Sequence, residues 1–301
     1  MRKVLLAFAL GLSLSGFAQV LKVGTIEKVA LPENLMNQVA AISPQGDFIL
    51  VSTNTNQGLT KFDFTTHEST RITDAAGAGF DAMISADGRH VVYRENNYTD
   101  RHLRMVSLKS HDLVSHKAEL LVEPTRDLQG YEIQGATAAV VDGGKLRARA
   151  MGGGTAQVTR PVLSIKNRQL MITENGETRL FSPNGTNTSY VWASLSPDGT
   201  KVVYYVAANG TYVCDLNGQN RVKVGTMRAP QWYGNNVIIG MLDQDDGEFI
   251  YASTIVAADL KGNSQTLTGD DVVAMYPYGS ADGHKIVFST PAGEAYIINL
   301  K

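Results

Sequence analysis

The sequence predicts an all-β protein, a six-bladed β-propeller of four-stranded antiparallel blades, from three observations. A turn-plus-strand block recurs at a fixed interval, a second hairpin follows each block, and the last repeat lacks one strand that the N-terminus can supply. A seven-bladed ring is the alternative.

The clearest block is Leu195 to Tyr205, Leu-Ser-Pro-Asp-Gly-Thr-Lys-Val-Val-Tyr-Tyr. Pro197 presets φ, Asp198 hydrogen-bonds nearby backbone and Gly199 accepts a positive φ, so the flanking strands fold back antiparallel. Variants begin at Ser43, Ser85 and Ser280, and a degenerate copy runs from Ala229 with Gly234-Asn-Asn in place of the turn. The step from Ser43 to Ser85 is 42 residues and that from Ser196 to Ser280 is 84, twice as many. The 111 residues between Ser85 and Ser196 divide into two long units about a turn at Asp142, or arithmetically into three of 37. Two is the preferred division, because Lys166-Asn167 follows Asp142 too closely for another four-stranded unit.

The second hairpin of each unit is clearest at Thr211 to Val224, with Asn217-Gly218 as its turn, and recurs at Ile255 to Thr268 and Leu170 to Leu180. The chain ends three strands into its last unit. Leu21-Lys-Val-Gly-Thr-Ile matches the fourth strand Val222-Lys-Val-Gly-Thr-Met, so the N-terminal strand is expected to complete that blade as a clasp. Helix is expected only briefly, at Pro32 to Val39, and Gly152 to Gly154 read as a mobile loop.

Residues 1–18 have the form of an export leader: Arg2 and Lys3, an apolar run from Val4 to Leu14, and small residues up to Ala18. The expected mature chain, 19–301, is one propeller domain, periplasmic or secreted, monomeric and without an integral membrane segment. The single cysteine, Cys214, lies in a strand pattern and reads as buried and inert, and it leaves no internal disulfide. With 27 basic against 29 acidic residues and no basic block, nucleic acid is not an expected partner.

These repeats resemble the TolB-like six-bladed propeller repeat, with its serine-proline-aspartate-glycine turn, apolar strand, strand ending in aspartate, glycine turn and strand ending leucine-threonine. The resemblance runs through 19–301 and is strongest at Leu195 to Val224 and Leu260 to Asn299. It implies a fold, because its motifs sit in turns and cores. The α/β domain that precedes the propeller of the namesake protein has no counterpart here, nor is there a peptidase domain of the kind similar propellers guard.

No nucleophile elbow occurs, and Ser280 in Gly279-Ser-Ala-Asp-Gly283 belongs to a blade turn. His102, His111 and His116 lack zinc-motif spacing and read as solvated surface residues, while His90 and His284, at neighbouring positions of the same repeat block, read as structural rather than as a site. Catalytic residues are therefore not assigned. No cofactor is assigned either, but Asp243, Asp245 and Asp246 around Gly247 carry the alternating carboxylates of a calcium loop without its distal glutamate, so a polar hairpin is the plainer reading.

If the serine turns occupy one rim, the loops that vary between copies occupy the other. Ligand-binding candidates there are Asn54, Asn56, Glu95, Asn97, Tyr98 and Arg101, joined by Trp192, Gln231 and Tyr276 in first strands near the channel. Packing between blades is the competing reading for Trp192 and Trp232. The expected function is an exported, non-catalytic scaffold that binds a protein or peptide at the channel mouth. A sugar or lactone lyase or hydrolase, and a glycan-binding module using Tyr98, Asn96 and Asn97, are the alternatives.

Overall fold

The computed structural model describes residues 19–35 and 37–301, so the expected leader, 1–18, lies outside the described residues. The turn chemistry sets the architecture. The Ser196 hydroxyl donates to Asp198 Oδ1 at 2.6 Å and accepts the Lys201 N–H at 2.9 Å; the Gly199 N–H donates to Ser196 O at 2.8 Å, and Asp198 Oδ1 takes the Thr200 N–H at 3.0 Å. Ser85 with Asp87 and Ser280 with Asp282 repeat the whole set, and Ser43 uses Asp47 in the same way. One hydroxyl thus satisfies two orphan groups at a strand reversal. Gly199 has φ of 71°, and a Cβ there would stand 2.7 Å from Arg160 Cδ, so both backbone and space demand glycine.

The described chain opens with β1 (Val23–Lys28) and one short 3-10 turn (Glu33–Leu35), the reduced form of the helix expected at Pro32 to Val39. Blade I is β2 (Gln38–Ile42), β3 (Phe48–Ser52), β4 (Gln57–Asp63) and β5 (Ser69–Ala76). Blade II is β6 (Met83–Ile84), β7 (His90–Tyr98), β8 (Arg104–Asp112) and β9 (Lys117–Thr125). Blade III has three strands, β10 (Leu128–Gln134), β11 (Thr137–Asp142) and β12 (Lys145–Ala150), and so has blade IV, β13 (Val162–Lys166), β14 (Gln169–Glu174) and β15 (Glu177–Leu180). Blade V is β16 (Tyr190–Leu195), β17 (Lys201–Val206), β18 (Gly210–Asp215) and β19 (Val222–Gly225). Blade VI is β20 (Arg228–Tyr233), β21 (Val237–Asp245), β22 (Ile250–Asp259) and β23 (Ser264–Thr266). Blade VII is β24 (Met275–Gly279), β25 (Lys285–Ser289) and β26 (Ala295–Leu300), with β1 as its outer strand.

The ring therefore has seven blades, the alternative count and not six. The division of 85–196 is where the preferred reading failed. Asp142 turns β11 into β12, the second and third strands of blade III, and the Lys166-Asn167 turn, too close to Asp142 for a four-stranded unit, joins the first two strands of blade IV through Asn167-Arg168. Three-stranded blades need fewer residues, which removes the spacing objection. Direction also matters. Antiparallel strands alternate, so a blade of three leaves the chain at the opposite rim, and a second blade of three restores it. The contacts agree: Arg160, just before β13, donates to Pro197 O in the serine turn of blade V, whereas Arg168 O, after β13, accepts the N–H of Tyr190 at the other end of β16. The first strand of blade IV runs against its neighbours, so its turn could not show the serine signature.

The clasp forms as expected. β1 pairs antiparallel with β26, joining Val23 to Leu300 and Lys28 to Tyr296. Packing gives the same blade count, because an apolar cluster fills each of the seven junctions between adjacent blades. Leu50 and Leu59 meet Val91 and Tyr93 between blades I and II, for instance, and Ile239 and Met241 meet Ile286 and Phe288 between VI and VII. Cys214 is buried in the cluster between IV and V beside Tyr190 and Tyr204, and burial pushes its thiol up to about 12, the inert state expected.

The junction of blades III and IV is the thinnest. Its fully buried apolar set is Ala139, Val141 and Val162, where the junction of VI and VII buries ten such residues. At ~25 cal/mol per Å2 this seam has the smallest hydrophobic gain to oppose opening. Amide hydrogen exchange should be fastest, among strands, in β12 to β15; protection there equal to that of β21 and β25 would contradict this ranking.

Candidate functional site

The innermost strands β2, β6, β10, β13, β16, β20 and β24 surround the channel. Four of the seven blades carry the same backbone device at its entrance. Asp81, Trp192, Ala229 and Tyr276 have φ of 58°, 49°, 46° and 52° and stand four residues ahead of Ser85, Ser196, Tyr233 and Ser280. β16, β20 and β24 each shift register at this point, between Val191 and Ser194, Arg228 and Gln231, and Met275 and Tyr278. A positive φ costs a side-chain-bearing residue about 1 kcal/mol or more, so its repetition marks a bulge that serves the channel.

Charges from separate blades meet in the channel. Asp81, ahead of β6, keeps a half-exposed side chain among the surrounding protein; burial raises its pKa and Arg94, at 3.4 Å, opposes the rise. Glu132 on β10 is pushed up to about 7, by burial and then by the negative charge of Asp81, with Arg160 pulling the other way. Tyr278 on β24 is pushed up to about 12 by burial, Asp81 and Tyr276. Arg94 is held against the faces of Phe80 and Tyr131, 5.0 and 5.2 Å from the ring centres. Tyr276 was legible as a channel residue. Asp81 and Glu132 were not, because nothing in a strand sequence says that two blades bring their carboxylates together.

The loop candidates do fall on the rim opposite the serine turns. Asn54 and Asn56 lie between β3 and β4, and Asn56, half-buried with φ of 60°, accepts the Gly79 N–H through its carbonyl. Tyr98 ends β7 with 67% of its surface exposed, beside exposed Asn97 and Arg101. Glu95 is engaged in an ion pair with Lys109. Trp192 is exposed and packs edge-on against Tyr205 of its own blade at 5.4 Å, while Trp232 takes the packing role, donating Nε1–H to Ser194 O of blade V at 3.2 Å. Gln231 is half-buried on β20.

The carboxylates of the β21–β22 hairpin are spent on protein partners. Arg228 Nη1 binds Asp243 at 2.6 Å and Asp245 at 2.9 Å, while Asp246 Oδ1 takes the N–H groups of Glu248 and Phe249 at 2.9 and 2.7 Å. The arrangement is that of a polar hairpin clamped by an arginine, which the calcium-loop pattern did not anticipate. Among the described residues no group of three or more His, Cys, Asp and Glu converges as a metal site.

One histidine reading needs correction. His111 is buried, its Nδ1 without a partner, and burial followed by the charge of His116 lowers its pKa; alternation on β8 turns it inward. His90 and His284 hold the neighbouring repeat positions expected, His90 buried at the fifth position after its serine and His284 exposed at the fourth.

Exposed apolar side chains are sorted by rim. Phe80, Tyr98, Leu103, Trp192, Leu242, Phe249 and Tyr251 lie on the loop rim, with Phe249 and Tyr251 at 65% and 60% exposure, Val114 lies on the serine-turn rim, and Ile26, Leu120, Ile165, Leu180 and Val191 lie along strands. Sequence reasoning named Tyr98 and Trp192 but missed Phe249 and Tyr251, whose hairpin was judged only by its carboxylates.

No family model matches this sequence, and no curated protein matches it. Solved structures do. A chain of the mitotic checkpoint complex is 9% identical, with 98% of this chain and 99% of that chain covered and a TM-score of 0.58. The β-propeller domain of Cps50 (Swd1) from Myceliophteria thermophila is 8% identical, with 92% and 100% covered and a TM-score of 0.60. An oligogalacturonate lyase from Vibrio parahaemolyticus is 14% identical, with 86% and 76% covered and a TM-score of 0.45. At such identities the first two likenesses establish the fold, a β-propeller, and nothing about function. No helix among the described residues is long and apolar enough to cross a membrane.

Two outcomes follow from the site's electrostatics. Glu132 has a folded pKa above its ordinary 4.5, so its stabilising proton is fully held below that value and lost as pH rises through about 7. Glu132→Gln should therefore raise stability at about pH 8, by about 1–2 kcal/mol after screening by channel water, and leave it unchanged near pH 4, as read by thermal unfolding. Arg228→Gln should cost about 2 kcal/mol in urea unfolding, because the Asp243 side chain, 2% exposed, is left without its cation; adding Asp243→Asn should recover most of the loss.

Proposed function

We propose that this chain is an exported, non-catalytic propeller that binds a protein or peptide segment across the rim opposite its serine turns. One observation carries the reading: of the large apolar side chains exposed in loops and hairpin ends among the described residues, seven lie on that rim and Val114 alone on the other. Aromatic side chains exposed together on rigid hairpins are what a protein interface core requires. Arg228 braces the hairpin that bears Phe249 and Tyr251, so the surface is ordered before a partner arrives, which reduces the entropic cost of binding. The leader expected from residues 1–18 supports reading it as a periplasmic or secreted protein.

The test is affinity capture from envelope and culture-medium extracts with three versions of the chain. A reproducible partner should be retained by the parent and by Val114→Ser on the serine-turn rim, and lost with Tyr98→Ala/Arg101→Ala. Retention by the Tyr98→Ala/Arg101→Ala chain with loss in Val114→Ser would put function on the other rim.

A further inference from the structure

The loop rim is not uniform in charge, and its mouth at blades VI and VII has a composition of its own. The β21–β22 hairpin exposes Leu242, Phe249 and Tyr251, and interleaved with them are exposed Asp245, Asp246 and Glu248. Beside them runs the connection from β23 to β24, which adds exposed Asp270 and Asp271. The two segments are fastened together: the Ala274 N–H donates to Ser253 O at 2.9 Å, and the Ser253 hydroxyl donates back to Ala274 O. Arg228 beneath the hairpin is already held by Asp243 and Asp245, and Lys28, next to the Tyr296 that Asp271 also faces, is paired with Glu294. The surface is thus aromatic and strongly acidic at once, in a chain whose net formal charge is only -2.

We propose that this acidic-aromatic mouth takes a basic segment of a partner protein, with lysine or arginine side chains set among apolar residues. The proposal rests on the rim reading above and narrows it. Three features select that occupant. Glu248, Asp270 and Asp271 are exposed carboxylates on two adjoining segments with no ion-pair partner among the described residues, so a basic segment supplies the counter-charge they lack. Phe249 and Tyr251 stand out from the hairpin where a guanidinium or ammonium can lie over a ring, and such pairs prefer cations flanked by apolar contact. Leu242 gives the apolar residues of the segment a place to bury. An acidic or phosphorylated segment would meet like charge, which excludes it from the same surface.

A phage-displayed library of random dodecapeptides, selected on the immobilised chain, tests this. Enriched peptides should carry lysine or arginine among apolar residues, and a synthetic peptide of that kind should lose at least tenfold in affinity, by fluorescence anisotropy, against Glu248→Gln/Asp270→Asn/Asp271→Asn. Raising the salt concentration should weaken it in the same direction. All three substituted residues are exposed, and unchanged thermal unfolding verifies that this variant folds. Enrichment of neutral or acidic peptides, indifferent to the charge variant but lost in Phe249→Ser/Tyr251→Ser, overturns the basic-segment proposal and leaves the rim reading standing. Peptide binding abolished by a calcium chelator also overturns it, since the carboxylates would then serve a metal. A library that yields nothing dependent on either variant removes both readings.

Discussion

The structure depends on one long-range pairing, that of β1 with β26. Each blade buries its faces only against its neighbours, so a row of blades leaves two apolar faces bare until the ring closes. In the closed ring Val39, Ile49 and Val51 of blade I pack on Val287 and Ala295 of blade VII, and β1 covers the outer edge of the same sheet. The pairing joins residues at opposite ends of the described chain, and the loop-closure entropy it requires is offset by the backbone hydrogen bonds and packing that complete blade VII as a four-stranded sheet next to blade I.

Closure fixes what each rim can do. The serine turns spend their polar groups internally: the hydroxyl, the aspartate and the glycine N–H bond one another and the start of the next strand. Asp87 and Asp198 sit below the ordinary carboxylate range because the neighbouring serine hydroxyl and backbone N–H groups bind their charged form. A rim so satisfied has little left for a ligand. The opposite rim carries hairpins of unequal length, the bulges that place Asp81, Trp192 and Tyr276 at the channel, and the exposed aromatics.

The legible part of the fold was the part that repeats. Turn serines mark blades I, II, V and VII, and the clasp could be read because Leu21 to Ile26 copies Val222 to Met227 in type and order. Blades III and IV were not legible as two units, since each lacks a strand and the first strand of IV runs in the opposite direction, which takes its turn to the rim where no serine signature is needed. The site followed the same division. Which loops share a rim follows from strand alternation, so Asn54, Tyr98 and Arg101 could be placed together. What touches what across the channel depends on blade count and ring diameter, so the coupling of Glu132 to Asp81 could not be read. Arg228 was invisible for a similar reason: a first-strand residue and a second-strand hairpin are neighbours only after β20 and β21 pair.

The central claim is that a partner docks on the rim opposite the serine turns, and site-specific photo-crosslinking addresses it most directly. A photoreactive side chain at position 98 or 249 should give partner adducts on irradiation, and one at position 114 should give none. Adducts from position 114, with none from 98 or 249, would contradict the account and move the interface to the serine-turn face.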